Sequence, residues 1–278
     1  MPEARFILSA FADEIAPDPH VQLDVLERCG VRHIELRSIY QTNVLNLTDA
    51  QVSDFKKLLD ARGFKLSAIG SPIGKILITD PFEPHLEKFR RAIELCRVFG
   101  TPNIRLFSYY LPDGADWKDY RSAVMDRMRR KVEIAAQAGV RLLHENEHRI
   151  YGDEPERVLD LLQTINHPTL RAIYDPANYV HGGFDPWKGW QLTKAWTVHF
   201  HIKDWVHGEH KGRVTGEGQG RIAEVMAEAV QMGYRGFATL EPHLQGGGPT
   251  GGVTGPELFP RAVEAFREVL DRLGAKYE

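Results

Sequence analysis

Short apolar stretches, rich in β-branched and aromatic residues, alternate with longer amphipathic stretches along the chain. Eight of the short stretches are typical of buried parallel strands, and they span residues 5–11, 33–37, 65–71, 103–110, 140–147, 170–176, 197–204 and 237–243. The stretches between them repeat apolar residues with the period of a helix. Six helical stretches end at glycines, as expected for left-handed C-termini: Gly30, Gly63, Gly100, Gly139, Gly233 and Gly274.

Eight successive strand–helix units predict an α/β fold, a (β/α)8 TIM barrel that forms a single domain over residues 1–278. The alternative is an open, doubly wound sheet built from the same units. No strand–turn–helix with the pattern G-x-G-x-x-G occurs near the N-terminus, which argues against a dinucleotide-binding version of that sheet. The least regular helix is predicted over residues 187–195, and the glycine-rich residues 244–255 predict a mobile loop.

Composition and charge exclude several classes of partner. The net charge is −3, and no block of like charges occurs, so we expect neither a nucleic-acid-binding surface nor a membrane-binding one. Cys29 and Cys96 lack the spacing of a metal site and are interpreted as buried thiols in a reducing cytosol. The N-terminus does not resemble a signal peptide, and no apolar run reaches the roughly 18 residues of a membrane span. A cytoplasmic location is therefore predicted.

The seventh predicted strand, in TVHFHIKDW, carries polar and apolar residues in strict alternation. His199, His201 and Lys203 lie on one face, whereas Phe200 and Ile202 lie on the other. In a barrel the apolar face packs against helices and the polar face points inward. Catalytic groups of such barrels lie at the C-terminal ends of the strands, where His201 and Lys203 fall.

Acidic residues occur at the same ends of the neighbouring strands. Glu145, Asp175 and Glu241 stand at the ends of the fifth, sixth and eighth strands, at a height similar to His201. Three converging carboxylates repel one another unless a cation compensates them. One imidazole with three carboxylates suits Mn²⁺, Mg²⁺ or Co²⁺ at least as well as Zn²⁺. We therefore expect one divalent metal ion, with Lys203 one layer above it where it could meet a substrate oxygen.

Six motifs together resemble the xylose-isomerase-like superfamily of sugar isomerases and epimerases. They are GVRHIELR, HEN, YDPANY, HFHIKD, GEGQGRI and LEPH, in the family's order and over nearly the whole chain. Tagatose and psicose 3-epimerases, inosose dehydratases, hydroxypyruvate isomerases and endonuclease IV belong to this superfamily. The resemblance implies one divalent ion, often Mn²⁺, bound by Glu145, Asp175, His201 and Glu241. It also implies that Glu145 and Glu241 are the catalytic acid/base pair on opposite faces of a bound sugar.

Further polar residues near the strand ends are candidates for substrate binding. They are Asn178, Lys203, His243, Lys75, Glu35, Arg105 and Glu147. Asn178 stands where family epimerases often have histidine, which bears on the substrate contacts. An ion pair between Lys203 and Asp204 is the alternative to a substrate contact. The glycines at positions 216, 218 and 220 precede a helix and fit a tight turn better than an anion site.

The resemblance and the residues favour a sugar isomerase or epimerase. One glutamate would remove the proton next to the carbonyl of a keto-sugar, a metal-stabilised enediolate would form, and the other glutamate would return a proton. A leaving group one carbon further on would make the enzyme a lyase or dehydratase for an inosose or 3-oxo-glycoside instead. An endonuclease IV-like repair enzyme is disfavoured by the acidic pI and the lack of further metal-binding histidines. A non-catalytic sugar-binding protein would not need both glutamates. The expected partners are a small carbohydrate and further copies of the chain, in a homodimer or homotetramer.

Overall fold

The computed structural model describes residues 3–248 and 251–278. Its parallel strands form a closed barrel: β1 (Arg5–Ala10), β2 (His33–Leu36), β3 (Lys65–Ile69), β4 (Asn103–Leu106), β5 (Arg141–Glu145), β6 (Leu170–Tyr174), β7 (Thr197–Ile202) and β8 (Arg235–Leu240). Each strand pairs with the next along the chain, and β8 pairs with β1 from Arg5 opposite Arg235 to Ala10 opposite Leu240. This closure confirms the predicted TIM barrel and rules out the open sheet.

The described residues also form nine α-helices around the barrel. They are α1 (Pro19–Arg28), α2 (Asp49–Arg62), α3 (Phe82–Phe99), α4 (Trp117–Ala138), α5 (Pro155–Ile165), α6 (Pro176–His181), α7 (Pro186–Thr193), α8 (Ile222–Gln231) and α9 (Phe259–Arg272). The Thr48 side chain caps α2 in a reciprocal capping box with Gln51. Helix α7 confirms the helix predicted over residues 187–195, which has the least regular sequence pattern. None of the helices in these ranges is long and apolar enough to cross a membrane.

The two faces of the barrel wall have different chemistry. Outward residues such as Phe6 and Leu8 are fully buried against the helices and form the main apolar core. Inward residues are often polar, and they bond to one another: the hydroxyls of Ser9 and Ser67 lie 2.7 Å apart. Because these interior groups have partners, their burial is tolerated, and they fix the strands that carry the functional side chains.

The glycine-rich segment after β8 is a short hairpin over the strand ends, with residues 249 and 250 outside the described part. Gly246–Gly247 pairs antiparallel with Gly252–Val253. A Cβ atom at Gly251 would lie 2.1 Å from Cζ of Arg37, and one at Gly252 would lie 1.7 Å from Cδ2 of His243. The glycines are therefore needed because the hairpin backbone touches two side chains of the barrel mouth.

Candidate metal centre and active site

Four titratable side chains converge at the C-terminal end of the barrel. Glu145 ends β5, Asp175 follows β6, His201 lies on β7, and Glu241 follows β8. All four residues are buried, and one ligand atom from each lies within 4.8 Å of the others. The structure thus brings together the four residues that the sequence predicts as metal ligands.

The ring of His201 is oriented by a contact on its far side. Its Nε2 atom lies 3.1 Å from Oε2 of Glu35, inside the barrel. Its Nδ1 atom lies 3.1 Å from Oε1 of Glu145 and 3.4 Å from Oε2 of Glu241. When Nε2–H donates to Glu35, the Nδ1 lone pair faces the carboxylates, as a metal ligand requires.

Asp175 is held by its own backbone surroundings. Its Oδ1 atom accepts the Asn178 N–H at 2.9 Å and caps α6. The Asn146 side chain exchanges two hydrogen bonds, of 2.8 and 3.0 Å, with the backbone of Asp175. The other carboxylate oxygen, Oδ2, faces the centre, 2.8 Å from Nζ of Lys203. Burial and the neighbouring carboxylates raise the pKa of Asp175 to about 6, although Lys203 opposes them.

The donor set fits a divalent metal ion. The buried Oδ2 atom of Asp175 and the buried Nδ1 atom of His201 face the same space, where their contacts are with the charged groups of Lys203, Glu145 and Glu241. Three carboxylates in that space repel one another, and a doubly charged cation would remove the repulsion. Carboxylate oxygens with one imidazole nitrogen suit Mg²⁺, Mn²⁺ and related ions.

Glu35 lies below this set and is fully buried. Its Oε2 atom is 3.1 Å from Nε2 of both His199 and His201. Burial raises the pKa of Glu35, but the two imidazoles lower it by more than burial raises it. The net shift of the pKa is therefore downward. Glu35 does not line the cavity above the set, so its placement does not support the predicted substrate contact. The contact of Glu35 with Nε2 of His201 instead holds the imidazole ring in its orientation.

A second acidic cluster surrounds the other side of Glu241. Nη1 of Arg37 donates to Oε1 of Glu241 at 2.7 Å, and Nη2 lies 3.7 Å from Oε1 of Glu14. Nε2 of His243 lies 3.1 Å from that Glu14 oxygen and 3.3 Å from Glu241. This cluster has one carboxylate fewer than the four-residue set, so it fits a divalent metal less well. Sequence reasoning missed Glu14, although its position just after β1 places it at the same end of the barrel.

A cavity of about 260 Å³ opens above the four-residue set. Six of the seven predicted substrate-binding residues line it: Asn178, Lys203, His243, Lys75, Arg105 and Glu147. Arg37 and Trp205 also line the cavity. The structure therefore places most of the predicted polar residues around one space.

Three of these residues hold the glutamates of the set. Arg105 faces inward, and its Nη1 donates to Oε2 of Glu145 at 3.1 Å. The Asn178 amide donates to the other Glu145 oxygen at 3.1 Å. Nζ of Lys203 lies 3.4 Å from Oε2 of Glu241. Each glutamate is thus oriented by donors that favour its ionised form.

Lys75 and Glu147 line the cavity and form an ion pair with each other. Nζ of Lys75 lies 2.7 Å from Oε2 of Glu147 and 4.3 Å from the centre of the Phe107 ring. Burial raises the pKa of Glu147, but Lys75 and Lys203 lower it more, to about 2. Glu147 is therefore a carboxylate at neutral pH and can accept hydrogen bonds from a ligand.

The ion pair between Lys203 and Asp204, the alternative to a substrate contact, does not form. Asp204 instead accepts the backbone N–H groups of Gly216, Gly218 and Gly220 at 2.8, 3.0 and 2.9 Å. These glycines form a turn around an internal carboxylate, as the tight-turn interpretation predicts. Lys203 is consequently directed towards the cavity.

A closed barrel whose strand ends converge on three carboxylates and an imidazole defines a (β/α)8 protein with a candidate metal centre. The sequence model of the family described as xylose isomerase-like TIM barrel matches residues 23–274. The chain belongs to this family, which confirms the resemblance seen in the sequence.

One curated relative is the 3-dehydroshikimate dehydratase of Bacillus anthracis, 27% identical over 129 residues. The match covers 46% of this chain and 46% of that protein, so it spans about half the length of the relative. The relative is an enzyme, but a match over half of its length does not by itself assign its activity to this chain.

Solved structures share the whole fold at low sequence identity. The probable 3-DHS dehydratase AsbF of Bacillus anthracis has a TM-score of 0.74 and 18% identity, covering 95% of this chain and 98% of that one. A D-tagatose 3-epimerase-like protein has a TM-score of 0.75 and 16% identity, covering 97% and 98%. A family member from Mycobacterium smegmatis in complex with magnesium has a TM-score of 0.73 and 17% identity, covering 99% and 98%.

Proposed function

We propose that the protein is a divalent-metal-dependent sugar isomerase or epimerase that acts on a keto-sugar by proton transfer. The observation that carries the proposal is the convergence of Glu145, Asp175, His201 and Glu241 beneath a polar cavity of about 260 Å³. A carbohydrate ring with its hydroxyls matches a cavity lined by ammonium, guanidinium, amide and carboxylate groups.

The four converging residues would hold one ion, with His201 binding through Nδ1. Such an ion polarises a substrate carbonyl and so acidifies the hydrogen on the neighbouring carbon. We propose Mn²⁺, with Mg²⁺, Co²⁺ and Zn²⁺ as alternatives, since the donor set is mixed oxygen and nitrogen. Magnesium in the related Mycobacterium smegmatis structure supports an ion of this class.

Glu145 and Glu241 are the proposed acid/base pair. Glu241 lines the cavity, and Glu145 lies beneath it at the end of β5, bonded to the lining residues Arg105 and Asn178. One carboxylate takes the proton next to the carbonyl. The other glutamate must enter the step protonated, and it gives its proton to the opposite face, which yields the epimer, or to the neighbouring carbon, which yields the aldose; the two glutamates thereby exchange protonation states. Proton transfer by a positioned side chain typically contributes about 10²–10⁴-fold to a rate.

Other cavity residues are proposed to bind the sugar. Lys203 and Arg105 present cationic donors to oxygens of the substrate, and His243 presents a titratable donor. The Asn178 amide N–H groups already donate to Glu145 and Asn146, so Asn178 offers its side-chain oxygen as an acceptor. Removal of a proton makes the adjacent carbonyl oxygen more negative, so cationic donors stabilise this oxygen most in the transition state.

A lyase is the second candidate. The match to a 3-dehydroshikimate dehydratase favours it, because dehydration of a keto compound begins with the same proton removal. A leaving group one carbon beyond the acidified position would then depart with its electron pair. The product, and not the first step, separates the two candidates.

Proton NMR in D₂O tests the proposal. The metal-loaded protein is incubated with ketoses, inososes and 3-oxo-glycosides, and the products are examined after the protein is removed. We expect deuterium next to a carbonyl with at least one substrate, and loss of exchange in Glu145→Gln. Glu268→Gln, an exposed position on α9, is the matched control. Full activity of Glu145→Gln, or no exchange across the panel, would contradict the proposal.

A further inference from the structure

A second cavity, of about 690 Å³, adjoins the catalytic cavity and shares Glu147 and His181 with it. Its remaining walls come from the loops that follow β3, β4 and β5, with Leu77, Tyr110 and Leu111 among the lining residues. The two cavities therefore adjoin at these two residues, on the same end of the barrel. Any molecule held over the four-residue set has this larger space beside it.

The second cavity is mainly apolar, whereas the catalytic cavity is mainly polar. Leu77 is 41% exposed, and Leu111 and Pro112 beside it are half-buried. A single exposed leucine needs no explanation, but here apolar residues from separate loops surround one concave space. Concave, mostly apolar walls with a few polar groups are typical of small-molecule sites.

Backbone hydrogen bonds shape this cavity without a ligand. The Tyr110 N–H donates to the carbonyl of Ile76 at 2.9 Å, and the Ile78 N–H donates to the carbonyl of Tyr110 at 2.9 Å. An ion pair of 2.8 Å between Arg149 and Asp113 lies in the wall. The loops after β3 and β4 are thus joined as if they were strands, and the cavity is part of the fold.

The sizes of the two cavities indicate how they divide a ligand. The catalytic cavity of about 260 Å³ lies below the roughly 300–1,000 Å³ of ordinary ligand sites. It has room for one small polar ring. The carboxylate of Glu147 and the ring of His181, which packs edge-on against His148 at 5.1 Å, stand at the junction. An imidazole N–H of His181 can donate to the oxygen that links a sugar to a substituent, and the Glu147 carboxylate can accept from a neighbouring sugar hydroxyl.

We propose that the second cavity binds an apolar, aromatic substituent of the sugar, so that the substrates are aryl keto-glycosides and not free monosaccharides. The inference rests on the proposed function, because it takes the first cavity as the place of the sugar ring. It adds the substrate class, which the four-residue set alone does not define.

Two matched ligands test the proposal by binding alone. Phenyl and methyl β-D-glucopyranoside are titrated into the Mg²⁺-loaded protein by calorimetry, without turnover. We expect the phenyl compound to bind on the order of 10-fold to 100-fold more tightly, because one phenyl ring leaves water. Leu77→Asp should bring the two dissociation constants towards equality. Val98→Asp, which changes an equally exposed residue on α3, should leave their ratio unchanged.

The same pair, as 3-oxo-glycosides, separates this inference from the proposed function. A higher kcat/KM for proton exchange in the phenyl compound, lost in Leu77→Asp, would support both. Equal binding and equal rates for the two compounds would overturn the aryl subsite while the proton-transfer proposal stands. Preferential phenyl binding without any exchange would overturn the proposed function alone. A dimer that Leu77→Asp dissociates would assign the cavity to a second copy of the chain and overturn the subsite.

Discussion

Two lysines are buried in different parts of the molecule, one at the barrel mouth and one on helix α4 behind β5, and their electrostatic surroundings are opposite. Lys203, 5% exposed, lies at the mouth with its Nζ 2.8 Å from Asp175 and 3.4 Å from Glu241. Burial lowers its pKa, but Asp175 and Glu241 raise it more, so the net shift is upward. The ammonium is therefore kept charged by carboxylates.

Lys131, on α4, is fully buried and makes no hydrogen bond within the described residues. Its Nζ atom lies 4.4 Å from the centre of the Tyr109 ring. Burial and the nearby guanidinium of Arg127 lower its pKa to about 7. This lysine is therefore close to losing its charge at neutral pH.

The difference shows which buried charges the fold compensates. At the mouth, cations and carboxylates alternate, so ionised groups persist without bulk water. Behind β5, no carboxylate of the described residues offsets the desolvation of the ammonium, and the guanidinium of Arg127 adds to it. Buried charges that are paired with opposite charges occur at the functional end of the barrel. The buried ammonium of Lys131 has no such partner within the described residues and lowers the stability of the fold.

The largest expected effect follows from removing one charge of the compensated cluster. Glu241→Gln should lower turnover roughly 10²–10⁴-fold, since the amide can neither accept the proton nor bind an ion as well as the carboxylate. Steady-state kinetics with the substrate found by deuterium exchange measure the loss. Glu268→Gln should retain the wild-type rate, and a Glu241→Gln enzyme with the same rate would refute the role.

Replacing each lysine by methionine tests the comparison directly. Lys203→Met should destabilise the metal-free protein by roughly 3–5 kcal/mol, because Asp175 and Glu241 lose their counter-charge. Lys131→Met should stabilise it by a comparable amount near neutral pH, because an apolar side chain of similar size replaces an unpaired ammonium. Urea unfolding measures both free energies. Stability changes of the same sign in the two variants would contradict the proposed difference between the two lysines.

The stabilisation by Lys131→Met should depend on pH. The pKa of Lys131 is about 7 in the folded state and near 10.5 when the chain is unfolded. Between these values the unfolded state binds more protons, so the wild type gains stability as the pH rises, by about 1.4 kcal/mol per pH unit. The advantage of Lys131→Met should be constant below pH 7 and shrink towards pH 10.5. A difference that stays constant over pH 7–10 would show that Lys131 has no lowered pKa.

Metal binding gives the smallest of these effects. An ion that binds only the folded state should stabilise it by about 2.7 kcal/mol at a free concentration 100 times its Kd. Thermal unfolding with and without a chelator measures this increment. Asp175→Asn should lose it, whereas Asp54→Asn, at an exposed position on α2, should keep it. An increment that Asp175→Asn retains would place the ion elsewhere.

Strand periodicity was sufficient to predict the barrel and the convergence of Glu145, Asp175, His201 and Glu241. Alternation along a strand decides which residues face inward, and parallel strands end on one side, so sequence position alone brings these groups together. The same reasoning would have found Glu14, which follows β1, had the short acidic turn there been treated as a strand end.

Details that depend on loops and long side chains could not be predicted this way. The partner of Lys203, the place of Glu35 beneath the imidazoles, the hairpin over Arg37 and the second cavity all arise from tertiary contacts between distant segments. Lys131 looks like an ordinary helix lysine, because nothing in its neighbourhood along the chain shows that α4 turns it inward. Manganese as the ion, the oligomeric state and the cytoplasmic location stay predictions.

We propose above all that one divalent ion is bound by the four converging residues. Crystals of the Mn²⁺-loaded protein, measured at the manganese absorption edge, locate the ion by its anomalous scattering. We expect one strong peak bonded to Glu145, Asp175, Nδ1 of His201 and Glu241. A peak at the Glu14–Glu241–His243 cluster or at Glu35 and His199, or no peak among these residues, would contradict it.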